Sequence, residues 1–121
     1  MIIGIGNDII EVDRVRKACE KQAFLTRYFT KKEIDFMGGN HQTIASNFAA
    51  KESVAKSFGT GFRGFEPNEI EVLRDDFGKP YVVLYEDAKE TAKKLGICKI
   101  HISISNINDY ATAFVVAEGR D

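Results

Sequence analysis

The chain has 121 residues, 44% hydrophobic and 29% charged, which suits one compact domain over residues 1–121 and argues against a disordered or membrane-embedded chain. At this length roughly two thirds of the unfolded surface can be buried, so a large ligand is expected in a surface cleft or between subunits. A net charge of −1 argues against nucleic acid as the main partner, because that binding needs a basic footprint.

The opening run Met1 to Gly6 lacks a basic leader and meets Asp8 before it could serve as a signal-peptide core. No other stretch approaches the roughly 20 apolar residues that span a bilayer, so no membrane contact and a cytoplasmic location are expected. Ile2 to Ile10 is apolar and β-branched, interrupted by Gly4 and Gly6, and reads as a buried strand that bends or admits another group closely. A helix follows over Glu11 to Lys21. Asp8-Ile9-Ile10-Glu11 has capping-box spacing, so Asp8 reads first as the cap of that helix and second as a ligand.

Basic residues crowd the next segment: Arg14, Arg16, Lys17, Lys21, Arg27, Lys31 and Lys32 face only Glu11, Asp13 and Glu20. Such a region suits an acidic protein surface or an anionic ligand. Solvated helix faces, or a contact with the acidic stretch from Glu66 to Glu90 of a sister subunit, are the simpler readings. Thr30-Lys31-Lys32-Glu33 is a capping box that opens a short helix ending at Gly38-Gly39. Asn40 caps the longest helix, about Gln42 to Phe58, with Gly59 as its stop. Along that helix Ile44, Phe48, Ala55 and Phe58 form an apolar stripe with Lys51 in its middle, where a lysine must snorkel out or meet an anion. Glu52 and Lys56 flank the stripe beside Ala45 and Ala49. They read as an ordinary surface pair four residues apart, or, with Lys51, as a carboxylate for a hard cation and two ammonium groups for phosphate.

Gly59-Thr60-Gly61 lets backbone approach a ligand, but no Gly-Lys-Ser/Thr follows, so it is no nucleotide-binding P-loop. Strands are expected over Glu69 to Arg74 and Pro80 to Tyr85, joined by a turn at Asp75 to Lys79. A helix over Glu86 to Leu95 ends at Gly96. Lys99 to Ser105 alternates, with Ile100, Ile102 and Ile104 on one face and His101, Ser103 and Ser105 on the other. The last strand runs from Tyr110 to Glu118. Strands outnumber crossover helices, which predicts an α+β domain with a mostly antiparallel sheet packed on one long helix. Cys19 and Cys98 match no metal or redox spacing and read as reduced thiols.

Taken in order, these segments resemble the holo-acyl-carrier-protein synthase family of 4′-phosphopantetheinyl transferases. The resemblance lies in Gly4-Ile5-Gly6-Asn7-Asp8-Ile9-Ile10-Glu11 with Arg14, and in Phe48-Ala49-Ala50-Lys51-Glu52-Ser53-Val54-Ala55-Lys56 leading into Gly59-Thr60-Gly61. Gly78-Lys79-Pro80-Tyr81, His101 to Ser105 and Tyr110-Ala111-Thr112-Ala113 extend it over the whole chain. It implies the family's fold and the transfer of 4′-phosphopantetheine from coenzyme A to a serine of apo-acyl carrier protein, releasing adenosine 3′,5′-bisphosphate, in fatty acid biosynthesis. It also implies Mg²⁺ held by Asp8 and Glu52, and phosphate bound by Lys56. Lys51, Gly59, Thr60, Gly61 and Ser105 would line the coenzyme A site, and the base for the serine would be Glu52 or a metal-bound water. Arg14, Lys21 and Arg27 would receive the acidic carrier protein. The family's compact members imply a homotrimer with active sites between subunits.

Two positions depart from the family pattern: Asn106 stands where a histidine is usual, and Asn47 where an arginine is common. Both are expected at the 3′-phosphate end of coenzyme A, so weak recognition of that phosphate, or replacement by His101 or Lys99, is expected. A rival reading is an oligomeric binding module without catalysis, with Asp8 as a helix cap and Glu52 and Lys56 as a surface pair. Asp8→Asn separates the two, since a capping asparagine preserves stability while a metal ligand loses metal-dependent activity.

Overall fold

The computed structural model describes residues 1–121. Strand β1 (Ile2–Glu11) is followed by four helices, α1 (Val12–Ala18), α2 (Ala23–Tyr28), α3 (Lys31–Met37) and α4 (His41–Phe58). A short 3₁₀ turn (Pro67–Glu69) leads into β2 (Ile70–Arg74) and β3 (Pro80–Leu84), then α5 (Glu86–Lys94), β4 (Ile97–Asn106) and β5 (Tyr110–Gly119). The strands form two antiparallel sheets, one ordered β1-β5-β4 and one hairpin of β2 and β3. The α+β architecture is the expected one, with the hairpin standing as its own sheet.

Local chemistry accounts for most boundaries. Thr30 accepts from the Glu33 N–H while the Glu33 carboxylate accepts from the Thr30 N–H, completing the capping box of α3. Asn40 Oδ1 accepts from Thr43 N–H at the start of α4, and Gly59 ends it at φ 77°. Two expectations need correction. The helix expected over Glu11 to Lys21 ends at Ala18 and a second begins at Ala23; Arg14 lies on α1, Arg27 on α2 and Lys21 in the turn between them. Asp8 caps nothing, because β1 runs on through Glu11 and Glu11 occupies the cap position of α1 without a side-chain bond.

Helix α4 is the centre of the molecule. Its buried residues run around most of its circumference, so the single stripe expected from the sequence is too narrow a description. Many of them are small, including Ala45, Ala49, Ala50, Ser53, Ala55 and Ser57, which lets neighbouring backbones come close. β1 exploits this. A Cβ on Gly4 would run into the carbonyl oxygen of Ser57, and one on Gly6 into that of Ser53. The glycines therefore let strand and helix touch, and the ladder to β5 shifts register between Ile2 and Gly4.

One core cluster joins α4 to both sheets and α5 through Val54, Phe58, Ile70, Val72, Ala88 and Val115. A second joins α4 to the first three helices through Val12, Val15, Phe29, Met37 and Ile44. β1 is not the fully buried strand its composition suggested. Gly4, Gly6, Asp8 and Ile10 face inward, whereas Ile5 and Ile9 are 59% and 67% exposed. On the same outer face, Phe114 stands opposite Asn7 and Ser103, and Thr112 opposite Ile9 and Ser105. This three-stranded sheet thus offers an uncovered outer surface on which Ile5, Ile9 and Phe114 stand among polar side chains.

Candidate active site

The contact between β1 and α4 that Gly4 and Gly6 permit brings together three of the sequence-predicted residues. Asp8, on the inward face of β1, receives Lys56 of α4: Nζ lies 3.3 Å from Asp8 Oδ1 and 3.0 Å from the Asn7 carbonyl oxygen. Glu52, one helical turn before Lys56, is half-buried beside them. Burial first, and the negative charge of Asp8 second, push the Glu52 carboxyl above its ordinary range, with Lys56 opposing. No hydrogen bond or ion pair engages Glu52. The Glu52–Lys56 surface pair proposed by the rival reading is absent, since Lys56 turns to Asp8 instead.

Two half-sheltered carboxylates with only one ammonium between them form a site with uncompensated negative charge. Mg²⁺ is commonly held by one or two carboxylates and completes its shell with water and substrate phosphate oxygens, so Asp8 and Glu52 fit that ion. Lys56 keeps half of its side chain exposed, and its ammonium has a third N–H to offer an anion. Gly59-Thr60-Gly61 follows directly on the last turn of α4, with Gly61 N–H bonded to Ala55 O and Thr60 Oγ1 donating to Gly61 O.

Arg14, Lys21 and Arg27 share one cleft of about 340 Å³ with Ile10, Val15, Ala18, Phe24 and Phe48 among its apolar walls. The sequence signalled only the charge there; the apolar floor, supplied by four different elements, appears with the fold. The cleft abuts the carboxylates. Ile10 is the next inward residue after Asp8, about 7 Å along the strand. Phe48 is one turn before Glu52, about 6 Å along the helix.

Lys51 is not at a nucleotide site. Its side chain is 1% exposed, and Nζ donates to Glu33 Oε1 at 2.6 Å, to Pro67 O at 3.1 Å and to Ile70 O. All three N–H donors are spent, so none remains for phosphate. Asn47 is likewise buried and committed: it donates to Glu33 Oε2 and Val72 O and accepts from Arg74 Nη2 at 2.9 Å. Asn106 lies elsewhere, donating to Ser46 Oγ at 3.0 Å. The two departures from the family pattern therefore do not remove charge from one place. His101 pairs with Glu118 at 2.9 Å on the outer sheet face. Ser105 is on that outer face too, where it lines a second cleft with Ile9, Asn106, Ile107, Tyr110 and Thr112. It is separated from Asp8 of the same chain by the thickness of the sheet.

A sequence profile of the 4′-phosphopantetheinyl transferase superfamily matches residues 4–115. The holo-[acyl-carrier-protein] synthase of Lachnoclostridium phytofermentans is 52% identical over 118 residues, covering 98% of this chain and 97% of that protein. Among solved structures, the holo-[acyl-carrier-protein] synthase of Neisseria meningitidis superposes with a TM-score of 0.90 at 35% identity, covering 98% of this chain and 99% of its own. The Helicobacter pylori holo-[acyl-carrier-protein] synthase in complex with coenzyme A gives a TM-score of 0.84 at 29% identity over 94% of this chain and 99% of its own.

Proposed function

The chain belongs to the 4′-phosphopantetheinyl transferase superfamily and transfers the 4′-phosphopantetheine arm of coenzyme A to a serine of an apo-acyl carrier protein; we propose that Asp8, Glu52 and Lys56 carry that chemistry. The observation behind this reading is the meeting of the three side chains where β1 and α4 touch, at the end of a basic and apolar cleft.

In this reading the whole chain, residues 1–121, acts as one transferase domain. Lys56 holds the pyrophosphate and opposes the charge that builds on the leaving group. The serine hydroxyl of the carrier attacks the β-phosphorus, the bond from that phosphorus to the bridging oxygen breaks, and adenosine 3′,5′-bisphosphate departs. The serine proton passes to Glu52, a half-buried carboxylate with no hydrogen-bond partner of its own and a second oxygen besides the one that would face a metal. Asp8 and Glu52 would hold Mg²⁺, and that ion would supply neutralisation of charge on the pyrophosphate. Arg14, Lys21 and Arg27 dock the acidic face of the carrier, and the apolar floor of their cleft receives its hydrophobic contacts.

Ser105, on the far side of the sheet, serves the coenzyme A bound at a neighbouring subunit. The uncovered face bearing Ile5, Ile9 and Phe114 supports a homotrimer in which adjacent subunits build each site together. The Gly59-Thr60-Gly61 backbone lines the nucleotide end. A cytoplasmic location fits two free thiols and helices of which none is long and apolar enough to cross a membrane.

The test is the intact mass of an apo-acyl carrier protein after incubation with the protein, coenzyme A and Mg²⁺. The expected result is a gain of one phosphopantetheine that is lost with a chelator and with Glu52→Ala. Equal modification by the Glu52→Ala variant would remove Glu52 from the chemistry.

A further inference from the structure

The buried lysine of α4 has no access to substrate, yet it directly precedes Glu52. We infer that Lys51 is a positioning residue for the transfer: its ion pair with Glu33 fixes the rotation of α4, and with it the direction in which Glu52 leaves the helix. The inference rests on the role of Glu52 proposed above.

The pair is sealed, with side chains 1% and 0% exposed, and its contacts reach three elements beyond α4. Lys51 Nζ is tied to α3 through Glu33, to the 3₁₀ turn through Pro67 O and to β2 through Ile70 O. Glu33 is itself held by Thr30 N–H, Asn47 Nδ2 and Val72 N–H at 3.1, 3.1 and 3.2 Å. Asn47 precedes Lys51 by one turn, so α4 is pinned at two successive turns on one side. On its other side Ser53 and Ser57 bear on β1 at Gly6 and Gly4.

Glu52 forms no bond of its own, so the helix is what sets the direction in which its side chain leaves the backbone. Residues 51 and 52 are about 100° apart around the axis, and a helix held at Lys51 cannot roll Glu52 away from Asp8. Stability alone gives a weak reason for such a pair, since buried ion pairs are often matched or bettered by apolar residues of similar volume. What apolar packing cannot supply is a directional anchor of three hydrogen bonds.

The test compares the parent with the double variant Lys51→Met/Glu33→Gln. Removing both charges avoids stranding one, and the glutamine retains an acceptor for Val72 and Asn47. Melting temperature, kcat, KM for coenzyme A and calorimetric binding of Mn²⁺ without substrate are measured. The expected result is a folded protein with KM within about twofold, kcat lowered about tenfold or more and Mn²⁺ affinity lowered about tenfold, as misplacement of a reacting group by a fraction of an ångström implies. Lys51→Arg, which keeps the charge and moves the donors, should lower kcat and Mn²⁺ affinity in the same sense and covers the case in which the double variant does not fold. Parent-like kcat and Mn²⁺ affinity in either folded variant would overturn the inference. A parent that neither binds Mn²⁺ nor transfers the arm would instead overturn the proposed site itself.

Discussion

Replacing Gly6 by alanine separates the packing of β1 on α4 from the chemistry that depends on it. The added Cβ would meet Ser53 O and come within 2.9 Å of Ser57 N and 3.0 Å of Lys56 Cβ. Two of these neighbours are helix backbone and cannot swing aside, so the strand itself must shift. Overpacking of this kind costs about 1–3 kcal/mol. For a chain of this size that corresponds to roughly 4–12 °C in melting temperature. Gly4→Ala meets the Ser57 carbonyl just as closely and should cost a similar amount. The two variants differ in distance from the site, since Gly6 lies about 7 Å from Asp8 along the strand and Gly4 about 13 Å. A displacement near 1 Å at a reacting group can lower the rate about a hundredfold. At a temperature where both are folded, Gly6→Ala should therefore lose far more kcat than Gly4→Ala. The assay pairs thermal unfolding with carrier-protein modification followed by mass. Equal loss of kcat in the two variants, or full activity in Gly6→Ala, would refute the claim that this contact places Asp8.

Three further outcomes follow from the same geometry. The Glu52 carboxyl titrates above its ordinary range because of burial and then Asp8, so its contribution to stability is present below the unfolded value and lost as pH rises through the folded one. Metal-free Glu52→Gln should consequently melt above the parent at pH 8, with the gap closing toward about pH 4; a lower melting temperature at pH 8 contradicts this. Thr30→Ala removes the cap of α3 and the 2.6 Å donor to the buried Glu71, leaving Tyr85 as that carboxylate's remaining side-chain partner. Urea unfolding should register a loss of about 1–3 kcal/mol, mostly restored in Thr30→Ser. Phe114→Asp, on the outer sheet face, should convert the proposed trimer to monomers in sedimentation and abolish transfer while leaving the fold intact; an unchanged sedimentation behaviour would contradict an interface on this face.

The elements with strong local signals were legible in the sequence. The Thr30 capping box, the Asn40 cap, the stop at Gly59 and the alternation of Ile100, Ile102 and Ile104 each depend on neighbours a few residues away, and each stands where it was expected. Asp8 misled because its spacing to Glu11 mimics a capping box. What decides the matter is the ladder to β5, which holds the strand extended through Glu11, and that pairing links residues about a hundred positions apart. The exposed side of β1 was hidden for a related reason: Ile5 and Ile9 are apolar in sequence, and only the packing of β1 on α4 shows that they face outward.

Lys51 is the more instructive case. Its place among apolar residues called for an anion, and Glu33 provides one; the resemblance to a family pointed instead to coenzyme A. No sequence signal connects Lys51 to Glu33, which reaches it from another helix, although Glu33 was already marked by its capping box. Asn47 and Arg74 join the same network, so the departure at Asn47 belongs to the interior rather than to the ligand.

The measurement that bears most directly on the site is a crystal soaked with coenzyme A and Mn²⁺, with the metal located by its anomalous signal. The account predicts one metal between the carboxylates of Asp8 and Glu52, with the pyrophosphate on Lys56 and the nucleotide reaching a neighbouring subunit's Ser105 face. A metal bound elsewhere, or a pyrophosphate out of reach of Lys56, would contradict it.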